Sequence, residues 1–236
     1  MCKICDQSVG SGLSRRGLFA GLTAGIAINA TPARSADPVK PALTPDAALQ
    51  QLMAGHAKYL AGRASVGNYA AGRAGRAGGQ SPIAAILSCA DSRVLPELIF
   101  NQGPGDLFVV RVAGNVENAD GLASLEYGTA ILGIPLIMVM GHSNCGAVAA
   151  AIKVHREKTV LPGHLPGLID LILPSVRKAE AMRPADLLAV ATIENVRGTA
   201  ATVAASDPVI AASVKAGTAK VVGSVYDVAT GKVTLI

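Results

Sequence analysis

Tryptophan is absent from this chain, and its 236 residues include only three phenylalanines and four tyrosines. With so few rings, the interior must be filled by Val, Ile, Leu and Ala; half of all residues are apolar, enough for a substantial core. Charge of one sign is also in short supply. The formal +5 is uneven, because Lys3, Arg15, Arg16 and Arg34 against Asp6 give +3 within residues 1–35 and leave +2 for the remainder. No basic stripe interleaved with aromatics is left, which argues against nucleic-acid binding. Internal repeats are missing, and no apolar run after residue 36 is long enough to cross a bilayer. The length fits one domain of ordinary size plus a leader.

The leader is legible. Ser14-Arg15-Arg16-Gly17-Leu18-Phe19 precedes an apolar run from Leu18 to Ala30, followed by Thr31-Pro32-Ala33-Arg34-Ser35-Ala36. A positive start, a short apolar stretch and small residues at a cut site describe a bacterial export signal. The paired arginines are similar to the twin-arginine type, so the expected partner is that export machinery and the expected location periplasmic. The run is too short and too rich in Gly and Ala to serve as a stable membrane anchor. Residues 1–36 are therefore read as a removable signal, with the cut somewhere in residues 33–37. Cysteine is as scarce as the aromatics: Cys2 and Cys5 fall inside the signal and are read as passengers, leaving Cys89 and Cys145.

Residues 37–79 are read as a linker and an N-terminal helical arm. Pro38, Pro41 and Pro45 mark an extended entry, and Thr44-Pro45-Asp46 is a helix start with a hydroxyl cap, a proline and an early acid. Leu49, Leu52, Met53, His56 and Leu60 follow at helical spacing, which makes His56 a packing residue. The Gly-, Ala- and Arg-rich residues 62–79 have no apolar period and are expected to form a loop. From Gln80 to Ile236 the pattern is that of an α/β domain. Residues 83–88, 107–112 and 136–140 are continuous apolar runs typical of buried parallel strands, and residues 94–101, 120–133 and 145–154 read as helices. A short helix is expected near 162–173 and an Ala-rich one over 185–205. Two closing strands are expected over 220–228 and 232–236. The fold class is thus α/β, with a mostly parallel central sheet flanked by helices.

The chemistry concentrates at the expected strand ends. Cys89-Ala90-Asp91-Ser92-Arg93 ends the first strand, and Gly141-His142-Ser143-Asn144-Cys145 ends the third. Ligands collect beyond the carboxyl ends of such strands. Two thiolates and an imidazole suit zinc, and three protein ligands leave a position open, as in catalytic rather than structural sites. A disulfide would satisfy the same two cysteines in an oxidising compartment, but would leave His142, Asp91 and Arg93 unexplained. Asp91 and Arg93 can form a bidentate ion pair, suited to orienting a water or moving its proton. The residues point to a zinc hydro-lyase or hydrolase.

In these motifs the chain resembles the β-class carbonic anhydrases, through Ser-Cys-Ala-Asp-Ser-Arg-Val at 88–94, Gly-Asp-Leu-Phe-Val-Val-Arg at 105–111, Gly-His-Ser-Asn-Cys-Gly at 141–146 and Gly-Ser-Val-Tyr-Asp at 223–227. The resemblance implies Zn2+ on Cys89, His142 and Cys145, a catalytic dyad of Asp91 and Arg93, and carbon dioxide and bicarbonate as substrate and product. It makes Asp91 a candidate fourth ligand in an inactive state. It also implies substrate-side roles for Gln80, Phe108 and Tyr127, reaching the metal from a neighbouring subunit of a homodimer or tetramer of dimers. Two departures stand out: Ala113 occupies a position where the family often carries a larger apolar residue, and the tryptophan around which some members build a bicarbonate site is missing. Two rival readings stay open, a zinc hydrolase of carbonyl sulfide or carbon disulfide and a non-catalytic zinc-binding protein.

Overall fold

Thr44 caps the first helix, α1 (Pro45–Leu60), in the way its sequence predicts. Its Oγ1 accepts from the Ala47 N–H at 3.2 Å, proline opens the helix and Asp46 lies in the first turn. The computed structural model describes residues 43–64 and 67–236; the segment expected to be an export signal and most of the expected linker lie outside them. Beyond α1 come α2 (Arg73–Arg76), β1 (Ala84–Ser88), α3 (Pro96–Ile99), β2 (Leu107–Arg111) and a 3-10 turn at Ala113–Asn115. Then follow α4 (Ala119–Ala130), β3 (Leu136–His142), α5 (Gly146–Glu157), α6 (Leu165–Ala181), α7 (Leu187–Ala204), α8 (Ile210–Lys215), β4 (Lys220–Tyr226) and β5 (Val233–Leu235).

The strands form one sheet in the order β2-β1-β3-β4-β5, parallel except for β5. Every residue of β1 and β3 is buried, so their unbroken apolar runs reflect helices on both faces. On one face Ile86, Met138 and Met140 pack with Ala48 and Leu52 of α1 and with Phe100. On the other, Leu87, Ile137 and Val139 pack with Leu125 of α4, Val196 and Val203 of α7 and Ile210 of α8. His56 is the packing residue expected of it: Nδ1 donates to Ile99 O at 3.0 Å and Nε2 accepts from the Val233 N–H at 2.9 Å. The chain leaves β1 toward β2 and then returns past β1 to β3. The carboxyl ends of β1 and β3 therefore flank the point where the winding reverses, which is where an open α/β sheet gathers ligands.

Several elements differ from expectation. The helix expected over 94–101 shrinks to Pro96–Ile99, because Leu95 precedes a proline and is held extended. The loop at 62–79 contains the short α2, and α8 is an addition. The short helix near 162–173 is instead the 17-residue α6, with Pro174 inside it. Ile169, Ile172, Leu173, Val176 and Ala179 form an unbroken buried stripe through that proline. Pro174 lies on the exposed side, as does Asp170, whose carbonyl loses its helical partner.

α6 and α7 are joined by a buried carboxylate. Glu194 of α7, its side chain 2% exposed, lies 2.6 Å from Lys178 Nζ of α6 and 2.7 Å from Arg197 Nη1. The Lys178 ammonium beside it holds its carboxyl below the ordinary pKa; burial opposes this, and Arg197 adds to it. A depressed folded-state pKa adds stability above the unfolded value of about 4.3, and that stability is lost as pH falls through the lower folded value. Glu194→Gln is expected to lower Tm at pH 7 by about 2–4 °C. The gap to the parent should close as pH drops below about 4, in thermal melts followed by circular dichroism. A gap that stays constant from pH 7 to pH 3 would sink this account.

Candidate metal centre

β1 runs directly into Cys89, His142 is the last residue of β3, and Cys145 caps α5 three residues further on. The turn between them is pinned. Ser143 N–H donates to Tyr226 O at 2.9 Å, Ser143 Oγ accepts from Val228 N–H at 2.9 Å, and Asn144 takes a left-handed φ of 56°. The two Sγ atoms and a ring nitrogen of His142 lie within 4.8 Å of one another, and all three residues are buried.

The donor atoms fit a thiophilic dication. His142 Nδ1 faces Ser143 O at 2.9 Å; since a carbonyl only accepts, Nδ1 carries the proton and Nε2 presents a lone pair. That Nε2 is buried without a hydrogen-bond partner. Cys89 Sγ accepts from the Gly114 N–H at 3.2 Å, while backbone amides of Val148 and Ala147 at the α5 N-terminus favour a thiolate at Cys145. Both cysteines are free. Cys145 hydrogen-bonds Cys89 and, against burial, helps pull it to about 4, with His142 assisting. The same bond, with burial and repulsion from the Cys89 thiolate, pushes Cys145 up. Burial disfavours charge on His142, yet the neighbouring Cys89 thiolate outweighs it and raises its pKa. A metal ion between the sulfurs would accommodate both as thiolates.

Asp91 and Arg93 stand at the mouth of this cluster. The guanidinium grips the carboxylate in a fork, Nε to Oδ1 at 2.9 Å and Nη2 to Oδ2 at 2.7 Å, and the Arg93 backbone N–H adds a third bond to Oδ1 at 3.0 Å. Arg93 thereby holds the Asp91 carboxyl well below the usual carboxylate range, despite some desolvation. Asp91 Oδ2 lies 3.9 Å from His142 Nε2, so the ionised carboxylate borders the donor set without joining it. Arg111 fixes the loop that carries both groups, donating from Nε to Cys89 O at 3.0 Å and from Nη2 to Asp91 O at 2.6 Å. Arg111 thus ties the end of β2 to the loop that follows β1.

The remaining candidates fall elsewhere. Gln80 is exposed ahead of β1 and joins no hydrogen bond of the donor cluster. Phe108 of β2 and Tyr127 of α4 stack on each other at the sheet edge, ring centroids 6.4 Å apart and planes at 29°. Tyr127 is half exposed. Gly114 forms the backbone turn near the metal that its sequence position suggests, and its N–H adds a bond to the Cys89 sulfur; Asn195, which bonds Gly114 O, stands outside every motif. Gly114 (φ 73°) could be flagged from sequence only as a glycine beside a strand end, and Asn195 had no local signal at all.

The fold and the site define a class: a mostly parallel α/β protein with a Cys-His-Cys cluster able to hold a metal ion at the reversal point of its sheet and a carboxylate–guanidinium pair at its mouth. The carbonic anhydrase family model matches residues 84–233. Carbonic anhydrase 2 of Mycobacterium tuberculosis is 38% identical over 198 residues, covering 83% of this chain and 94% of that relative. Among solved structures, the β-carbonic anhydrase of Coccomyxa in complex with acetazolamide is 30% identical, with a TM-score of 0.62, and the match covers 80% of this chain and 81% of that one. One from a study of two tetrameric β-carbonic anhydrases of Sordaria macrospora is 26% identical, with a TM-score of 0.63 and coverage of 71% and 89%. The chain belongs to the carbonic anhydrase family, in its β-class.

Proposed function

We propose that this chain catalyses the reversible hydration of carbon dioxide to bicarbonate and a proton, with zinc held by Cys89 Sγ, His142 Nε2 and Cys145 Sγ. The observation that carries the reading is the forked Asp91–Arg93 pair beside three buried soft donors, since a metal store needs no such pair. When bound, zinc supplies Lewis acidity that makes water a competent nucleophile near neutral pH. Asp91, kept ionised by Arg93, accepts the hydrogen bond of the attacking O–H and so aims its lone pair at the substrate carbon. Arg93 keeps the carboxylate in that orientation and away from the donors. Arg111 holds the backbone on which both stand.

Carbon dioxide is small and apolar and needs apolar walls with one or two polar anchors. Exposed Leu95, Leu98, Tyr127 and Ile131 support an assembly in which Gln80, Phe108 and Tyr127 face the centre of a second copy. The tetrameric relatives from Sordaria macrospora favour a homodimer or a tetramer of dimers. The twin-arginine pattern at residues 14–36 supports export to the periplasm, which fractionation with N-terminal sequencing of the mature protein tests.

Stopped-flow carbon dioxide hydration at pH 7 and pH 8.5, with zinc measured on the same sample, tests the function. Turnover that scales with zinc content is expected. A fully zinc-loaded protein silent at both pH values would reject the reading in favour of a sulfur-containing substrate such as carbonyl sulfide.

A further inference from the structure

α7 forms the wall behind the metal centre. Thr192 and Val196 fill the space that a Cβ on Gly141 would need, and Gly141 is the neighbour of His142. One turn along, Asn195, 1% exposed, sends Nδ2 to Gly114 O at 2.7 Å, across 81 residues of sequence. That carbonyl belongs to an unusual peptide. It joins Gly114 at φ 73° to Asn115 at φ 46°, two consecutive left-handed residues in the 3-10 turn after β2. The left-handed φ favours glycine there, and a Cβ would also stand 2.7 Å from Ile172 Cδ1. The Asn115 side chain does not help to hold the turn, because both of its amide atoms are buried without partners. The amide on the other side of Gly114 donates to Cys89 Sγ at 3.2 Å.

We propose that Asn195 is a positioning residue for the metal centre: by anchoring Gly114 O it holds the left-handed turn whose N–H donates to the Cys89 thiolate. It reaches neither substrate nor metal and acts through two hydrogen bonds in series. Losing the Nδ2 donor leaves a buried carbonyl unpaired and frees the turn to rotate, which carries the Gly114 N–H off the sulfur. The thiolate then loses the bond that orients it and tempers its charge. Partners of this kind govern metal affinity as well as ligand geometry.

The inference rests on the metal reading above, and its test separates the two. Asn195→Ala and Asn195→Leu remove the donor, the second keeping the space filled; Val203→Ala weakens the same helix at a core position away from the centre. Zinc affinity is read by chelator competition on the full chain. The cobalt-substituted protein reports on the sulfur through its thiolate-to-metal charge-transfer band. In either folded Asn195 variant, zinc affinity should fall about 10–100-fold and the band should move to longer wavelength, because an unbonded thiolate gives up its electrons more readily. Val203→Ala should lower Tm and change neither readout. Wild-type affinity within about threefold together with an unmoved band in the Asn195 variants, or an equal loss in Val203→Ala, would overturn the role of Asn195. A parent that holds no zinc would instead overturn the metal reading beneath it.

Discussion

Cys145→Ser is expected to purify with far less than one zinc per chain and to hydrate carbon dioxide roughly 10³-fold more slowly, or worse. The substitution is nearly isosteric, so it separates chemistry from packing. Cys145 lies at the head of α5, where the amides of Ala147 and Val148 face its sulfur and favour the thiolate. A serine hydroxyl there stays neutral and hard, the wrong donor for a site built from soft anions. The remaining Cys89 and His142 would make a two-ligand set, which zinc leaves readily. Metal analysis and stopped-flow on one preparation check both halves, and matching circular dichroism spectra for metal-free parent and variant confirm that the fold survives. A fully loaded variant with parental turnover would remove Cys145 from the ligand set.

The parts of this site legible in the sequence share one property: their chemistry is written in residues close together along the chain. Cys89, Asp91 and Arg93 lie within five positions, His142 and Cys145 within four, and each group abuts an apolar run that reads as a buried strand. The sheet then joins the two groups, because β1 and β3 pair in parallel with Ser88 level with Met140. What stayed hidden depends on backbone geometry or distant contact. Gly114 reaches the Cys89 sulfur only through a left-handed φ, and Asn195 finds Gly114 from within an Ala-rich helix that carries no motif. α6 was underestimated for the opposite reason. Pro174 is a strong local signal for a helix end, and it is overridden by a buried stripe that continues past it. Gln80, Phe108 and Tyr127 came from family resemblance alone, and within one chain they keep apart from the donors.

Asp91→Asn and Arg93→Ala should each lower kcat/KM by about 10²–10⁴-fold while retaining a full complement of zinc. Neither residue supplies a donor of the buried trio, so metal content is the control that distinguishes these variants from Cys145→Ser. Asp91→Asn keeps the side chain's size and loses the charge that accepts the nucleophile's hydrogen bond. Arg93→Ala leaves the carboxylate with the backbone N–H at 3.0 Å and removes the two guanidinium bonds that fix its direction. With Oδ2 already 3.9 Å from His142 Nε2, the freed carboxylate has a short path toward the cation, where it would block the site. The pH dependence tells misplacement from protonation. In the parent the guanidinium holds the Asp91 pKa far below neutrality; without Arg93 it rises only toward the ordinary value of about 3.9, so Asp91 stays ionised above pH 6. A rate loss in the Arg93→Ala variant that persists from pH 6 to 9 therefore comes from a misplaced carboxylate and not from a protonated one. Because Arg93 acts through Asp91, the double variant Asp91→Asn/Arg93→Ala should be about as slow as the slower single one. Losses that multiply in the double variant would show that Arg93 contributes to turnover independently of the carboxylate it grips.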